Sequence, residues 1–219
     1  MTVVRREFEP TLPALLRRRA GVPERVTVAV LLLALLAVAV AALLVRPRVD
    51  GMGTLVHRSE PVFNLEYDTG ALRSAPPRAG ELVRLEGRRG RQSVTITARP
   101  LELPPYDGDV AHGLLPVYAS GHIRTLADEL ERFRLIDQHR ARINDAPGYE
   151  VRFVSGPAAR PTLGTDTLLL PDEEESRGAV LLSMRRTVEG RLKLTEREKE
   201  FVDRTSEAFR SFSYGTDRP

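Results

Sequence analysis

Hydrophobic positions along this chain follow two regimes. From Val26 to Val45 the sequence reads VTVAVLLLALLAVAVAALLV, 20 residues with no charge and one hydroxyl. From residue 54 onward the apolar positions are spaced instead. Val94 and Ile96 alternate with Thr95 and Thr97, and Tyr149, Val151 and Phe153 alternate with Glu150 and Arg152. A period of two marks strands with one buried face, so Ser93–Ala98 and Tyr149–Val154 are predicted strands. Thr54–His57, Val62–Tyr67, Glu81–Glu86 and Gln138–Ile143 are further short strands. Thr167–Leu170 and Ala179–Met184 are more continuously apolar, which predicts central strands.

Two segments switch to helical spacing. Ile123, Leu126, Leu130 and Phe133 recur at three- and four-residue steps within a helix expected over Val110–Phe133. Gly121 is a point at which that helix can break, with Thr125 then capping its second part. Near the C-terminus, Thr195 and Glu198 have the spacing of a capping box, and Phe201, Thr205, Ala208, Phe209 and Phe212 line one face beyond it. Turn chemistry separates the elements. Gly87-Arg88-Arg89-Gly90 joins two strands into a hairpin, Asp145-Ala146-Pro147-Gly148 predicts a turn, and Pro100, Pro104, Pro105 and Asp107-Gly108 predict a break. Strands, helix, strands, helix, mostly linked by short turns, predict an α+β domain: a mainly antiparallel sheet with helices packed on it.

The uniform run has a different physical meaning. As a helix, 20 residues rise roughly 30 Å, the thickness of bilayer hydrocarbon. Its 13 Leu and Val residues contribute roughly −4 to −8 kcal/mol to insertion. Arg25 and Arg46 bound it, and six arginines precede it while Arg46, Arg48 and Arg58 follow. The positive-inside rule then places the N-terminus in the cytoplasm and exports the rest. The expected organisation is a basic cytoplasmic tail over 1–25, a transmembrane helix over Val26–Val45 in the lipid bilayer, a linker over 46–53, and an extracytoplasmic domain over 54–219. A cleaved signal peptide is the competing reading, since Ala37-Val38-Ala39 and Ala39-Val40-Ala41 resemble cleavage sites; the length of the run favours a signal anchor. With no cysteine, a lipoprotein is excluded.

Charge changes the picture once it is divided. The net charge is +3, and all of it belongs to residues 1–25. The 27 basic and 27 acidic residues after the apolar run cancel, so no net field draws this domain to a phosphate backbone and no nucleic acid is expected. The absence of cysteine also removes disulfides, thiolate nucleophiles and cysteine-ligated metals.

Chemistry-bearing motifs are few. His57, His112, His122 and His139 stand in no H-x-x-H or H-E-x-x-H context, and His112 and His122 are ten residues apart, on nearly opposite sides of a helix. Ser120-Gly121-His122 lacks a nucleophile elbow. Asp172-Glu173-Glu174-Glu175 lacks the alternation and glycine of a calcium loop. Tyr106, Tyr118, Phe133 and Tyr149 line either a ligand cavity between helix and sheet or simply the core. No residue is assigned as catalytic, cofactor-binding or metal-binding, and no cofactor is expected.

Three segments carry a resemblance: Phe63-Asn64-Leu65-Glu66-Tyr67 in an early strand, Gly148-Tyr149 opening a strand after a helix, and Phe209-Arg210-Ser211-Phe212 ending the terminal helix. With the order of elements, they resemble the α/β/α sandwich of the PsbP-like family of exported and thylakoid-lumen proteins. That resemblance implies an accessory subunit or binding module. The expected function is a membrane-anchored, non-enzymatic interaction module of the cell envelope with a membrane or exported protein partner. The alternatives are an envelope carrier of a small apolar ligand or lipid, and an enzyme whose active site has no recognised motif.

Overall fold

The computed structural model describes residues 51–171, 178–190 and 194–216. Val26–Val45, the basic tail and the acidic loop Asp172–Glu175 lie outside the described residues. Among the described residues no helix is long and apolar enough to cross a membrane.

β1 (Met52–His57) and β2 (Phe63–Asp68) form an antiparallel pair, and β10 (Ser213–Tyr214) returns from the C-terminus to β2's other edge. The larger sheet is built from β3 (Arg73–Ser74), β4 (Val83–Arg89), β5 (Gln92–Leu101), β6 (Arg134–Ile143), β7 (Ala146–Ser155), β8 (Thr162–Leu169) and β9 (Ala179–Val188). Its order is β3-β4-β5-β9-β8-β7-β6, with every neighbouring pair antiparallel. Two helices complete the domain, α1 (Leu115–Glu129) and α2 (Glu196–Arg210). The α+β class and the antiparallel sheet are therefore as the sequence predicts, and β8 and β9 are interior strands.

Alternation along each strand divides the core in two. Val151, Phe153 and Leu168 point to one face and are buried under Leu115, Ala119 and Leu126 of α1. Leu169, Val180 and Leu182 point to the other face, where they join Val94 and Ile96 of β5, Phe201, Ala208 and Phe209 of α2, and Phe63 and Phe212. α1 lies over β7 and α2 lies over β4 and β5, so the helices cover different halves of opposite faces. On the α2 side, part of β6, β7 and β8 is left open.

Two of the three segments that resemble the PsbP-like family, 63–67 and 209–212, meet one another here, while Gly148-Tyr149 lies inside β7. The Ser211 hydroxyl accepts from Glu66 N and donates to Glu66 O, Phe212 stacks on Phe63 with centroids 5.2 Å apart, and Asn144 Nδ2 donates to Phe212 O over 2.7 Å. They are structural joints of the sandwich.

Several boundaries differ from the sequence reading. β1 takes in Met52 and Gly53 from the expected linker. Helix α1 starts at Leu115 and ends at Glu129; a π-helical turn over Val110–Leu114, whose backbone Asp109 caps, precedes it. Pro116 fits its first turn, where no backbone donor is needed. Gly121 lies inside a continuous helix, and Thr125 Oγ1 donates to Gly121 O instead of capping. The turn at 145–148 is tighter than expected: Asn144 takes a φ of 49°, the chain reverses there, and Ala146, Pro147 and Gly148 already pair with β6. Pro100 is no break, because β5 runs through it to Leu101; β4 stops pairing at Ala98, so Pro100 borders only β9 and its missing N–H costs no ladder bond on the other side.

The predicted capping box is present in full. Thr195 Oγ1 accepts from Glu198 N, and the Glu198 carboxylate accepts from Thr195 N over 2.9 Å. Glu198 also accepts from Arg91 N in the β4–β5 turn, which fixes the start of α2 to the sheet. Those backbone donors, set against its burial, hold its carboxyl down at about 2.

Replacing Thr195 by Ala is expected to cost about 1 kcal/mol in a urea melt. Gly164→Ala should cost more. Its new methyl would lie 2.2 Å from Phe153 Cζ, inside the space that ring fills. A loss of roughly 1–3 kcal/mol is expected from that overlap in the same melt.

Candidate functional site

Two consecutive arginines on β9 define the chemistry of the sheet's two faces. Arg185 pairs across to Gly164 and Arg186 to Leu163. In a strand, successive side chains point to opposite sides. Arg185 therefore faces α1 and Arg186 faces α2.

On the α1 side Arg185 meets Asp166, a fully buried carboxylate on β8. Nη2 donates to Oδ2 over 2.9 Å and Nη1 donates to Oδ1, a bidentate fork. His122, from the middle of α1, bonds the same Oδ2 through Nε2 at 2.8 Å. Arg185 also stacks 4.7 Å above the Phe153 ring, which lies flat because Gly164 beneath it has no side chain. Burial alone would raise the Asp166 pKa. The Arg185 charge and the His122 hydrogen bond more than reverse this and hold it at about 2. Ser183 faces Asp166 directly across the β8–β9 pair and is itself buried. The cluster thus ties helix to sheet through one ionised group. It is an internal latch: Asp166 has no exposure and the His122 side chain only 17%.

On the α2 side lies a half-open groove of about 490 Å³. Its floor is the uncovered part of the sheet, with Leu163 and Thr165 from β8, Arg152 from β7, and Met184 and Arg186 from β9; Phe209 and Arg210 of α2 form one wall. Arg152 stands opposite Thr165, which stands opposite Met184, and Leu163 stands opposite Arg186. Arg152 and Arg186 are therefore on one face, two strands and two residues apart, within convergence of two long side chains. Arg186 is half-buried, and burial pushes its guanidinium pKa down. Among the described residues no acceptor or carboxylate is found on Arg152, Arg186 or Arg210. Glu150 contributes the groove's one carboxylate.

The other sequence candidates are dispersed. His57 Nδ1 bonds Pro61 O at 2.9 Å, His112 Nδ1 bonds Asp109 at 2.7 Å, and His139 lies 3.1 Å from Asp137. Ser120 Oγ donates to Pro116 O on its own helix. Among the described residues, no group of three His, Cys, Asp or Glu side chains is placed to hold a metal. Tyr118, Phe133 and Tyr149 pack into the α1 core, whereas Tyr106 is 48% exposed beside Gly108 and Gly113, so the four aromatics do not line a common cavity. Asp166 escapes the sequence reading because the spacing predicts a strand that begins only at Thr167, and Arg186 because the spacing ends its strand at Met184. A signal did exist in Met184-Arg185-Arg186-Thr187: adjacent cations on an interior strand must serve both faces.

The latch gives a pH dependence of fixed sign. Asp166 is more acidic folded than unfolded, so its stabilisation is complete above the unfolded value of about 3.9 and is lost as pH falls through about 2. The shift corresponds to about 2–3 kcal/mol. Asp166→Asn should therefore lower stability by about 3 kcal/mol at neutral pH, since it strands Arg185 beside an amide. It should also flatten the decline between pH 4 and 2, both read by urea melts across that range.

No protein-family profile and no curated protein matches the chain. Similar solved structures include a cyanobacterial PsbP from Synechocystis, 11% identical over 77% of this chain and 95% of that one, with a TM-score of 0.45. LpqN, involved in cell envelope biogenesis of Mycobacterium tuberculosis, is 12% identical over 75% and 92%, with a TM-score of 0.46. A Bacteroides thetaiotaomicron protein is 10% identical over 77% of this chain and 50% of its own, with a TM-score of 0.38. A PsbP, of the family that the sequence resembles, is thus among the similar structures; at these identities and TM-scores neither family membership nor any residue's role passes from one protein to the other.

Proposed function

We propose that this chain is a single-pass membrane protein whose C-terminal domain is extracytoplasmic and acts as a non-enzymatic interaction module of the cell envelope. The location rests on the 20 uncharged residues of Val26–Val45 and on the arginine excess before them. The binding role rests on one observation: the groove over β7, β8 and β9 presents cations without partners beside apolar side chains. Recognition surfaces combine those two chemistries, with arginine enriched among their strongest contacts. The buried His122–Asp166–Arg185 cluster, by contrast, spends its hydrogen bonds on holding α1.

A carrier of a small apolar ligand is the second reading. One feature favours it, a cavity of about 390 Å³ lined by Leu101, Leu103, Val110, Leu114 and Leu170 at the start of α1. Native mass spectrometry after mild extraction separates the readings: an apolar molecule that travels with the protein supports the carrier, and a protein of bare sequence mass supports the module.

Topology is checked by fusions. A reporter active only in the cytoplasm is expected to work at the N-terminus and to fail after Pro219, and an export-dependent reporter should do the reverse. Protease added to spheroplasts should digest the domain. A domain cut only after lysis would reverse the orientation, and a mature N-terminus near Val40 or Ala42 would make the apolar run a cleaved signal.

A further inference from the structure

Arg185 and Arg186 are neighbours in sequence with opposite fates. Arg185 is neutralised by a buried carboxylate and stacked on an aromatic ring. Arg186 is half-buried with no counter-charge, and burial disfavours its charged form. A desolvated cation without a partner weakens the fold that holds it. Aliphatic side chains at this position would fit the Leu163 and Met184 surface at less cost. Arg152 and Arg210 add two more cations around the same groove, against the single carboxylate of Glu150. Asp137, opposite Arg152 on β6, lies 3.1 Å from His139.

The groove does not end at the cavity. Its outer lip is β6, the edge strand of the seven-stranded sheet. Here the register shifts between Leu135 and Asp137, and the bulge presents Ile136 at 50% exposure; Leu135, opposite Phe153, belongs to the α1 side. Ile136 is one of only five large hydrophobic residues exposed among the described residues. Apolar surface thus runs from Leu163 and Met184 on the floor to Ile136 on the rim, with arginines beside it. The bulge and the charges of β6 discourage another strand from pairing with this edge, so recognition falls to side chains.

We propose that this groove is the docking site for an acidic polypeptide segment of a partner protein: Arg152 and Arg186 take its carboxylates, and a bulky apolar side chain next to them packs on Leu163, Met184 and Ile136. The proposal rests on the interaction-module reading and gives it a partner chemistry. A polypeptide fits better than a small molecule. Small ligands are mostly enclosed by their pockets, whereas this groove is half open and continues onto an exposed apolar rim. Arginine forks recognise carboxylates in two-point geometry, which fixes a segment's register along the floor.

The test uses the full chain in nanodiscs of zwitterionic lipid and a fluorescein-labelled 12-residue peptide alternating Glu and Leu. Two control peptides replace Glu by Gln or Leu by Ala. Fluorescence anisotropy should show the Glu/Leu peptide binding at least tenfold more tightly than either control, and weakening as salt rises. Arg152→Gln with Arg186→Gln should reduce that binding at least tenfold. The melting temperature of Arg186→Gln should stay level or rise, a result that a structural arginine would not give. Equal binding of the Gln peptide, binding indifferent to the two substitutions, or a fall in melting temperature of several degrees would overturn the proposal. So would recruitment of phosphatidylglycerol vesicles that depends on Arg152 and Arg186 while the peptide stays unbound, since the groove would then be a lipid site. Crosslinking of the same nanodisc protein to a membrane partner separates the two levels. If crosslinks persist in the double variant and the peptide does not bind, the groove assignment fails and the module reading stands. If the unmodified chain crosslinks to no partner and binds no peptide, both fail.

Discussion

The β8–β9 pair has to satisfy two cores at once. It lies inside the seven-stranded sheet, so neither face of it can be given over to water along its whole length. Strand alternation allocates its residues without choice: Leu168 and Leu181 go to α1, Leu169, Val180 and Leu182 to α2 and the small sheet. The same rule sends Asp166 and Arg185 under α1. A carboxylate without exposure survives there only because Arg185 forks it and His122 reaches down from the helix. The position of α1, the flat seat of Phe153 over Gly164 and the ionised state of Asp166 are therefore one coupled arrangement.

Coverage by the helices explains why the binding groove is where it is. α2 is fixed at its start by the Thr195–Glu198 box and by Arg91 in the β4–β5 turn. At its far end Ser211 and Phe212 are tied to β2. Anchored at both ends, a 15-residue helix spans about 22 Å, and it is committed to the β4–β5 side. The β6–β7–β8 side of that face is left without a helix. There Arg152 of β7 and Thr165 of β8, with Arg186 of the adjoining β9, stand in place of a continuous hydrophobic surface.

How much of this the sequence discloses depends on the range of the interaction that decides each feature. Local rules were legible. The Val94/Ile96 and Val151/Phe153 alternations, the helical spacing through Leu126 and the Thr195–Glu198 box are all set within a few residues, and each is found. Boundaries decided by tertiary contacts were not. Pro100 continues a strand because its donor side happens to face no neighbour, and Ala146-Pro147-Gly148 pairs because Asn144 already makes the turn. Gly164 and Asp166 have low strand propensity, so β8 was expected to begin at Thr167. That boundary hid the buried cluster, whose members are 19 and 44 residues apart.

The contrast between Arg185 and Arg186 shows why a site of this kind is hard to read from composition. After the apolar run, 27 cations balance 27 anions, and such neutrality suggests no preference for charged partners. Balance in number is not balance in space. Asp166 neutralises one face of β9, while Glu81 and Glu86 gather on Arg84 at the other end of the sheet. Asp68 and Glu200 are taken by Arg204. These anions are placed where they stabilise the fold, while Arg152 and Arg186 share the α2 face of β7 and β9 without a carboxylate partner among the described residues. A field that vanishes at long range is compatible with a strong local one, and the local one is what a partner meets once apolar contact has excluded water between them.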